Sequence, residues 1–364
     1  MATLVAAATL AGCSGTGTGE GQAFSRPGPH AVGVTTLDLG TDGTLGERRV
    51  TIFYPADGAS AARRPAYSYK VGDPLPQALV AIVPAKFDPT ITSTARVEPA
   101  GSAAGPFPVV LFSHGFGASR LFYSHLLTGI ASWGFVVVSA DYLERGLLAQ
   151  ALHSPATDSP ALDLEIMFSS LTAVEALSAD PSSPLHGLAD SKEVAAVGHS
   201  AGGQTAFDAL ADPRVRTAVG WAPVGPSAAP SRKPVVIIGA RNDIALTPAT
   251  LTSEYHAFRG DTTFVEVSNE GHNTFTDLCP SIRGGGGGLV GFAVSLHLIS
   301  GELAQLATNG CTARNIPADR FWPIVQAYTV ASLRAGLGIS TQPPATAVDG
   351  SEFAGFHITV QHHR

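Results

Sequence analysis

Charged residues are scarce: Asp, Glu, Lys and Arg together make up 14 % of the 364 residues, well below the roughly 25 % of an average globular protein. Wholesale disorder needs high charge and few apolar residues, and 45 % of this chain is apolar, so disorder is excluded. Basic runs are missing too. With 22 Lys and Arg against 29 Asp and Glu the net charge is −7, the wrong field for a nucleic-acid partner. No Gly-x-y period accompanies the 40 Gly and 26 Pro, which rules out a collagen-like chain. The longest apolar stretch, Leu289 to Leu306, is interrupted by Ser295, His297, Ser300 and Glu302. It reads as a helix packing on a sheet rather than a membrane span. Only three cysteines are present, in no spacing that resembles a zinc site, and neither metal nor cofactor is expected.

Those cysteines read differently from one another. Cys13 ends Leu10-Ala11-Gly12-Cys13 after the short apolar run Leu4 to Ala11, the pattern of a bacterial lipoprotein signal whose cysteine becomes lipidated. No Lys or Arg precedes Arg26, so the charged start of such a signal is missing. Ser14 to His30, with its alternating Gly, Ser and Thr, reads as a linker that would stand an anchored protein off a membrane. An exported protein meets an oxidising compartment, and the two remaining cysteines, Cys279 and Cys311, then read as one disulfide. Were the chain not exported, two buried thiols would be the better reading.

Val50-Thr51-Ile52-Phe53-Tyr54 is β-prone and ends at Pro55, as an early strand would. Ala56 to Pro106 is rich in Pro, Ala and Gly and reads as a long loop with short elements. From Val109 short β-branched runs alternate with helical stretches. Strands are expected at 109–112, 135–138, 194–197, 215–221, 235–238 and 263–267; helices at 120–133, 162–177, 201–210, 248–258 and 320–337. Such alternation describes an α/β domain, a mostly parallel central sheet with helices on both faces. The expected division is a signal segment over 1–13, a linker over 14–30, one α/β domain over 31–340 and a C-terminal tail over 341–364. Gly284 to Gly288 reads as a hinge.

The sharpest local signal is Gly198-His199-Ser200-Ala201-Gly202-Gly203. Gly-x-Ser-x-Gly alone is a weak motif, but here it lies between the run Val194 to Val197 and a helix. That context is a strand-to-helix turn, which lifts the serine above the carboxyl edge of the sheet at a helix N-terminus. A serine hydroxyl needs a base to take its proton and an acid to orient that base. The turn resembles that of the α/β-hydrolases, and this resemblance implies that the acid and then the base follow in sequence at the ends of later strands. Asp243, just past 235–238, is the candidate acid, with Asp261 as its nearest rival; His272, in the loop after 263–267, is the candidate base. The tetrahedral oxyanion needs two donors. They are expected from the amides of Ala201 and of Phe116 in Ser113-His114-Gly115-Phe116-Gly117, with His114 bracing that loop.

These stretches resemble the α/β-hydrolase superfamily, and within it the platelet-activating-factor acetylhydrolase group and its bacterial relatives. The resemblance covers roughly Val109 to Asp277. It is strongest at Phe112 to Arg120 with Tyr123-Ser124 and Ala131 to Val136, at the turn around Ser200, and at His272-Asn273-Thr274-Phe275-Thr276-Asp277. It implies a triad of Ser200, Asp243 and His272 and carries the loop amide over to Phe116. Ile238 to Asp243 also resembles cutinase-type polyester hydrolases, which usually have an aromatic residue after a Thr-Pro pair where this chain has Trp221-Ala222-Pro223-Val224. The loop between Trp221 and Val235 is too short for a large helical lid. The expected protein is a lipid-anchored, exported serine esterase acting on a lipid or other apolar acyl ester, with membrane contact through the anchor only. Acyl transfer, polyester hydrolysis and a non-catalytic surface lipoprotein are the alternatives.

Overall fold

The computed structural model describes residues 24–39, 45, 47–152, 159–284 and 287–364. Cys13, the linker up to residue 23 and Gly285-Gly286 of the expected hinge lie outside the described residues. The strands are β1 (Ala31–Leu39), β2 (Arg48–Ala56), β3 (Ala66–Lys70), β4 (Thr90–Val97), β5 (Phe107–Ser113), β6 (Val136–Ala140), β7 (Ala189–His199), β8 (Val215–Trp221), β9 (Val235–Ala240), β10 (Thr262–Val267) and β11 (Ile358–His363). They form one 11-stranded sheet in the order β11-β10-β9-β8-β7-β5-β6-β2-β1-β4-β3. The block from β10 to β6 is parallel throughout. Antiparallel β2 and β11 flank it.

The parallel strands read as near-continuous apolar runs because both faces are covered. Alternate residues go to opposite sides, as the period of two requires. Val110 and Phe112 pack with the helices Ser124–Ala131 and Ala318–Gly336. Val109 and Leu111 pack with Pro160–Ala179, Ala201–Asp208 and Pro248–Ala257. The helix Pro160–Ala179 starts where a Ser-Pro pair dictates: the Ser159 hydroxyl accepts from the Leu162 amide, and Pro160 occupies the first turn. β5 lies between β7 and β6, so the chain winds outward in both directions from it. The loops leaving β5 and β7 therefore part at the carboxyl edge and open the crevice where such sheets bind ligands.

Four expectations differ from this architecture. The linker reading of 14–30 fails at its end: Phe24 is buried edge-on to Trp133, and the Gln326 side chain donates to the carbonyls of Phe24 and Arg26. The C-terminal tail contains β11, which pairs with β10 from Thr262↔His363 to Val267↔Ile358 and completes the sheet edge. Ala56 to Pro106 holds β3 and β4, which extend the opposite edge. The single helix over 289–306 is two short ones, Gly288–Ser295 and Gly301–Ala307, with Val294, Leu296 and Leu298 exposed. Ser300 explains the break, since its hydroxyl caps the second helix by accepting from the Leu303 amide. Instead of lying on the sheet, the pair packs against neighbouring helices, with Phe292 stacked on Phe87 at 5.4 Å.

Candidate active site

Ser200 stands at the turn from β7 into the helix Ala201–Asp208, with φ 56° and ψ −122°. A non-glycine residue in this region is strained and persists only where its surroundings over-determine it. Its N–H donates to the Trp221 carbonyl at 3.0 Å, and its own carbonyl accepts from the amides of Gly203 and Val224, both at 2.9 Å. The flanking glycines are required by space. A Cβ on Gly198 would lie 1.9 Å from the Gly202 carbonyl oxygen, and one on Gly202 would lie 2.1 Å from that of Ser113.

Two further side chains, each following a later strand, reach the serine. His272 Nε2 lies 2.9 Å from Ser200 Oγ, and His272 Nδ1 lies 2.7 Å from Asp243 Oδ2. The other Asp243 oxygen accepts from the amides of Ala245 and Leu246 at 2.8 Å each. All three side chains are buried, with only 8 % of Ser200 exposed. A donor to Asp243 at Nδ1 leaves Nε2 as the acceptor for the serine proton. Asp261 is elsewhere, paired with His362 at 2.7 Å on the β11 edge.

The loop after β5 crosses in front of Ser200. A Cβ on Gly115 would stand 3.1 Å from both Ser200 Cβ and His199 Nδ1, a tight approach that a bare glycine relieves. Its next amides are used, Gly117 donating to the Arg145 carbonyl and Ala118 to that of Gly115. Among the described residues the Phe116 amide has no acceptor. The Ala201 amide heads its helix and has no intrahelical one. His114 braces the loop as expected: Nδ1–H donates to the Gly115 carbonyl at 2.9 Å, and Nε2 accepts from the Tyr142 amide at 3.0 Å. Burial, then the Arg145 charge, hold its pKa down at about 3. Beneath it Arg145, paired with Asp163, donates to Ser113 Oγ at 2.7 Å.

The sequence reading missed several side chains that hold these parts. The Tyr123 hydroxyl donates to His199 Nδ1 at 2.9 Å, and His199 Nε2–H donates to the His272 carbonyl at 2.9 Å. Burial and the neighbouring His272 push the His199 pKa well down, so this ring stays neutral. Asp277 accepts from Tyr69, Ser124 and His125 at 3.0, 2.6 and 3.0 Å, fastening β3 to the histidine loop. The expected disulfide is present between Cys279 and Cys311.

Glu270, two residues before His272, is fully buried, and neither carboxyl oxygen has a hydrogen-bond partner among the described residues. Burial pushes its pKa from 4.5 up to about 8, and the nearby Thr274 hydroxyl and Arg283 charge offset only part of this. The folded chain thus keeps a proton that the unfolded chain releases from pH 4.5 upward. The resulting stability is full below that pH and falls progressively until pH reaches about 8. Glu270→Gln is expected to raise Tm by about 3 °C at pH 8.5, for roughly 2 kcal/mol, with almost no gain at acid pH. Thermal melts at both pH values check this; an equal gain at both would refute it.

The sequence profile described as chlorophyllase matches residues 88–271, just over half of the chain. A second profile, platelet-activating factor acetylhydrolase, isoform II, matches residues 18–152. Chlorophyllase-1 of Arabidopsis thaliana is 31 % identical over 140 residues, which are 38 % of this chain and 40 % of that protein. The chain therefore spans less than half the length of the curated relative it matches. A ferulic acid esterase structure from Streptomyces cinnamoneus superposes with a TM-score of 0.63 over 92 % of this chain and 97 % of its own. At 21 % identity that likeness is one of fold. With the profile match running from just before β4 to the residue before His272, the chain belongs to the chlorophyllase family, and its sheet has the α/β-hydrolase architecture.

Proposed function

We propose that the chain is a serine esterase acting through an acyl-enzyme on Ser200. The observation that carries this reading is the unbroken line from Asp243 Oδ2 through the His272 ring to Ser200 Oγ, with links of 2.7 and 2.9 Å. His272 Nε2 takes the serine proton as Oγ attacks the ester carbonyl, and Asp243 stabilises the imidazolium. The Phe116 and Ala201 amides receive the oxyanion, each contributing about 3 kcal/mol to the transition state. His272 then protonates the leaving alcohol, and water, activated by the same ring, releases the acid. The substrate is an apolar acyl ester, because exposed apolar side chains flank the site: Phe116 beside the oxyanion position and Ile244 next to Asp243.

The test is labelling by a fluorophosphonate with the adduct mapped by mass spectrometry, alongside esters of rising acyl length, a phospholipid, a polyester film and competing alcohol acceptors. A Ser200 adduct with hydrolysis rising with acyl length is expected. Lack of both labelling and turnover would sink the reading; transfer to alcohol in preference to water would replace hydrolysis by acyl transfer.

Export with Cys13 as the lipidated residue belongs to the same proposal. The disulfide Cys279–Cys311 supports it, because such bonds persist in oxidising compartments. No helix among the described residues is long and apolar enough to cross a membrane, so attachment would rest on the lipid. Cys13→Ser in the full chain is expected to abolish incorporation of labelled palmitate and to move the protein from the membrane fraction to the soluble one. Unchanged labelling would exclude Cys13 as the acceptor.

A further inference from the structure

Asp243 and His272 follow different strands, β9 and β10, and catalysis through them needs the two loops held in one register. Beyond their own hydrogen bond, a backbone bond from the Asn242 amide to the Glu270 carbonyl at 2.8 Å joins them. A third segment also grips both. Asn309 Oδ1 accepts from the His272 amide at 2.6 Å and from the Ile244 amide at 3.3 Å, while Nδ2 donates to the Asn242 carbonyl at 3.1 Å. Its backbone carbonyl accepts from the Asn273 amide at 2.9 Å. One side chain thus holds the residues on either side of Asp243 and the main chain of His272 itself.

We propose that Asn309 is the positioning residue that sets the acid loop against the histidine loop, and that the Cys279–Cys311 disulfide holds it in place. This rests on the Ser200 reading above. The side-chain chemistry is specific: the position needs an oxygen that accepts twice and a donor on the same planar group, which an amide supplies. Serine lacks the reach and the second acceptor geometry, and aspartate keeps the two acceptor contacts but loses the donor. The backbone around it is shaped for contact. A Cβ on Gly271 would lie 2.6 Å from Asn309 Oδ1, and Gly310, at φ +87°, turns the chain directly towards Thr274.

Asn309 follows the helix Gly301–Ala307 and stands two residues before Cys311. The disulfide ties that end to Cys279, just past the histidine loop, so the segment from 279 to 311 is closed at its base. Asn273 Nδ2 donates to the Leu306 carbonyl at 2.7 Å and Thr274 Oγ1 to the Gly310 carbonyl at 3.3 Å, which adds two more ties to the same short stretch.

Loss of this grip lets the imidazole wander, and a misplacement of about 1 Å can cost on the order of 100-fold in rate. The test compares full-length Asn309→Ala, Asn309→Asp and the Cys279→Ser/Cys311→Ser pair with wild type. Readouts are kcat and KM on a soluble aryl ester, the rate of Ser200 inactivation by a fluorophosphonate, and Tm. Asn309→Ala is expected to lower kcat roughly 30-fold with KM within about threefold, and to slow inactivation by the same factor. Asn309→Asp keeps both acceptor contacts but sets a carboxylate oxygen against the Asn242 carbonyl, so it should recover only part of that loss. The double serine variant should show the same kcat-only signature at about a third of the size. Wild-type kcat in Asn309→Ala, or no difference between Ala and Asp, would overturn the proposal. So would a loss confined to Tm. Should Ser200→Ala keep full activity, the serine reading itself would fail, whatever the Asn309 variants do.

Discussion

Ser200→Ala is expected to lower kcat by about 10⁵- to 10⁶-fold on any ester the wild type turns over, because every later step passes through the Oγ–acyl bond. The change removes one oxygen and leaves the backbone as it is, so Tm should stay within about 2 °C. Ser200→Gly gives the companion result. Ser200 sits at φ 56°, ψ −122°, where any Cβ is strained and glycine is not. The glycine variant should be as inactive as the alanine variant yet more stable by about 1–2 kcal/mol, or roughly 1–3 °C in Tm. Inactivity in both with a higher melting temperature only in the glycine variant would identify strain stored at the nucleophile. Turnover above about 1 % in either would mean that another group attacks the carbonyl.

The parts of the site that are legible in the sequence are those whose chemistry is local. Gly198 and Gly202 stand beside Ser200 because backbone oxygens pass within 2.1 Å of where their side chains would be, and Gly203 because the Pro223 Cβ would lie at 2.4 Å; such crowding leaves a pattern in adjacent residues. Asp243 and His272 could be found because parallel strands end in loops at one edge, so position after a strand is nearly position in space. Asn309 has no such signature. It approaches from a segment closed by a disulfide, 37 residues from His272, and its value depends on where Cys311 lands. Tyr123 and His199 are equally silent, since an aromatic residue and a histidine 76 residues apart predict no contact.

Edges of the sheet were harder to read for a different reason. β11 begins Ile358-Thr359-Val360 but continues Gln361-His362-His363, so its apolar stretch is too short to stand out. β3, the strand at the opposite edge, is only Ala66–Lys70 and directly follows Pro65. Strands at an edge have one neighbour fewer and expose more of their faces. They need fewer apolar residues and leave a weaker pattern than the buried parallel block.

Asp243→Asn is expected to lower kcat by about 10⁴-fold while leaving the fold intact, by forcing the wrong tautomer on His272. Asp243 has two oxygens in use: Oδ1 accepts from the Ala245 and Leu246 amides at 2.8 Å each, and Oδ2 accepts from His272 Nδ1 at 2.7 Å. Asparagine has one oxygen. Two fixed N–H donors claim it, so the NH₂ must face the imidazole; the opposite flip would set that NH₂ against two backbone donors. Facing a donor, Nδ1 becomes the acceptor and the ring proton moves to Nε2, the atom that in the proposed mechanism takes the proton from Ser200 Oγ 2.9 Å away. The serine then has no base. Tm should change by only a few degrees, since shape and both backbone contacts survive. A variant retaining more than about a tenth of wild-type kcat would require another acid. The buried carboxylates nearby are poor replacements, because Asp277 is committed to Tyr69, Ser124 and His125, and Glu270 is held protonated by burial at neutral pH. A steep loss in Asp243→Asn, with Asp277→Asn keeping its kcat, would therefore assign the orienting carboxylate to the loop after β9.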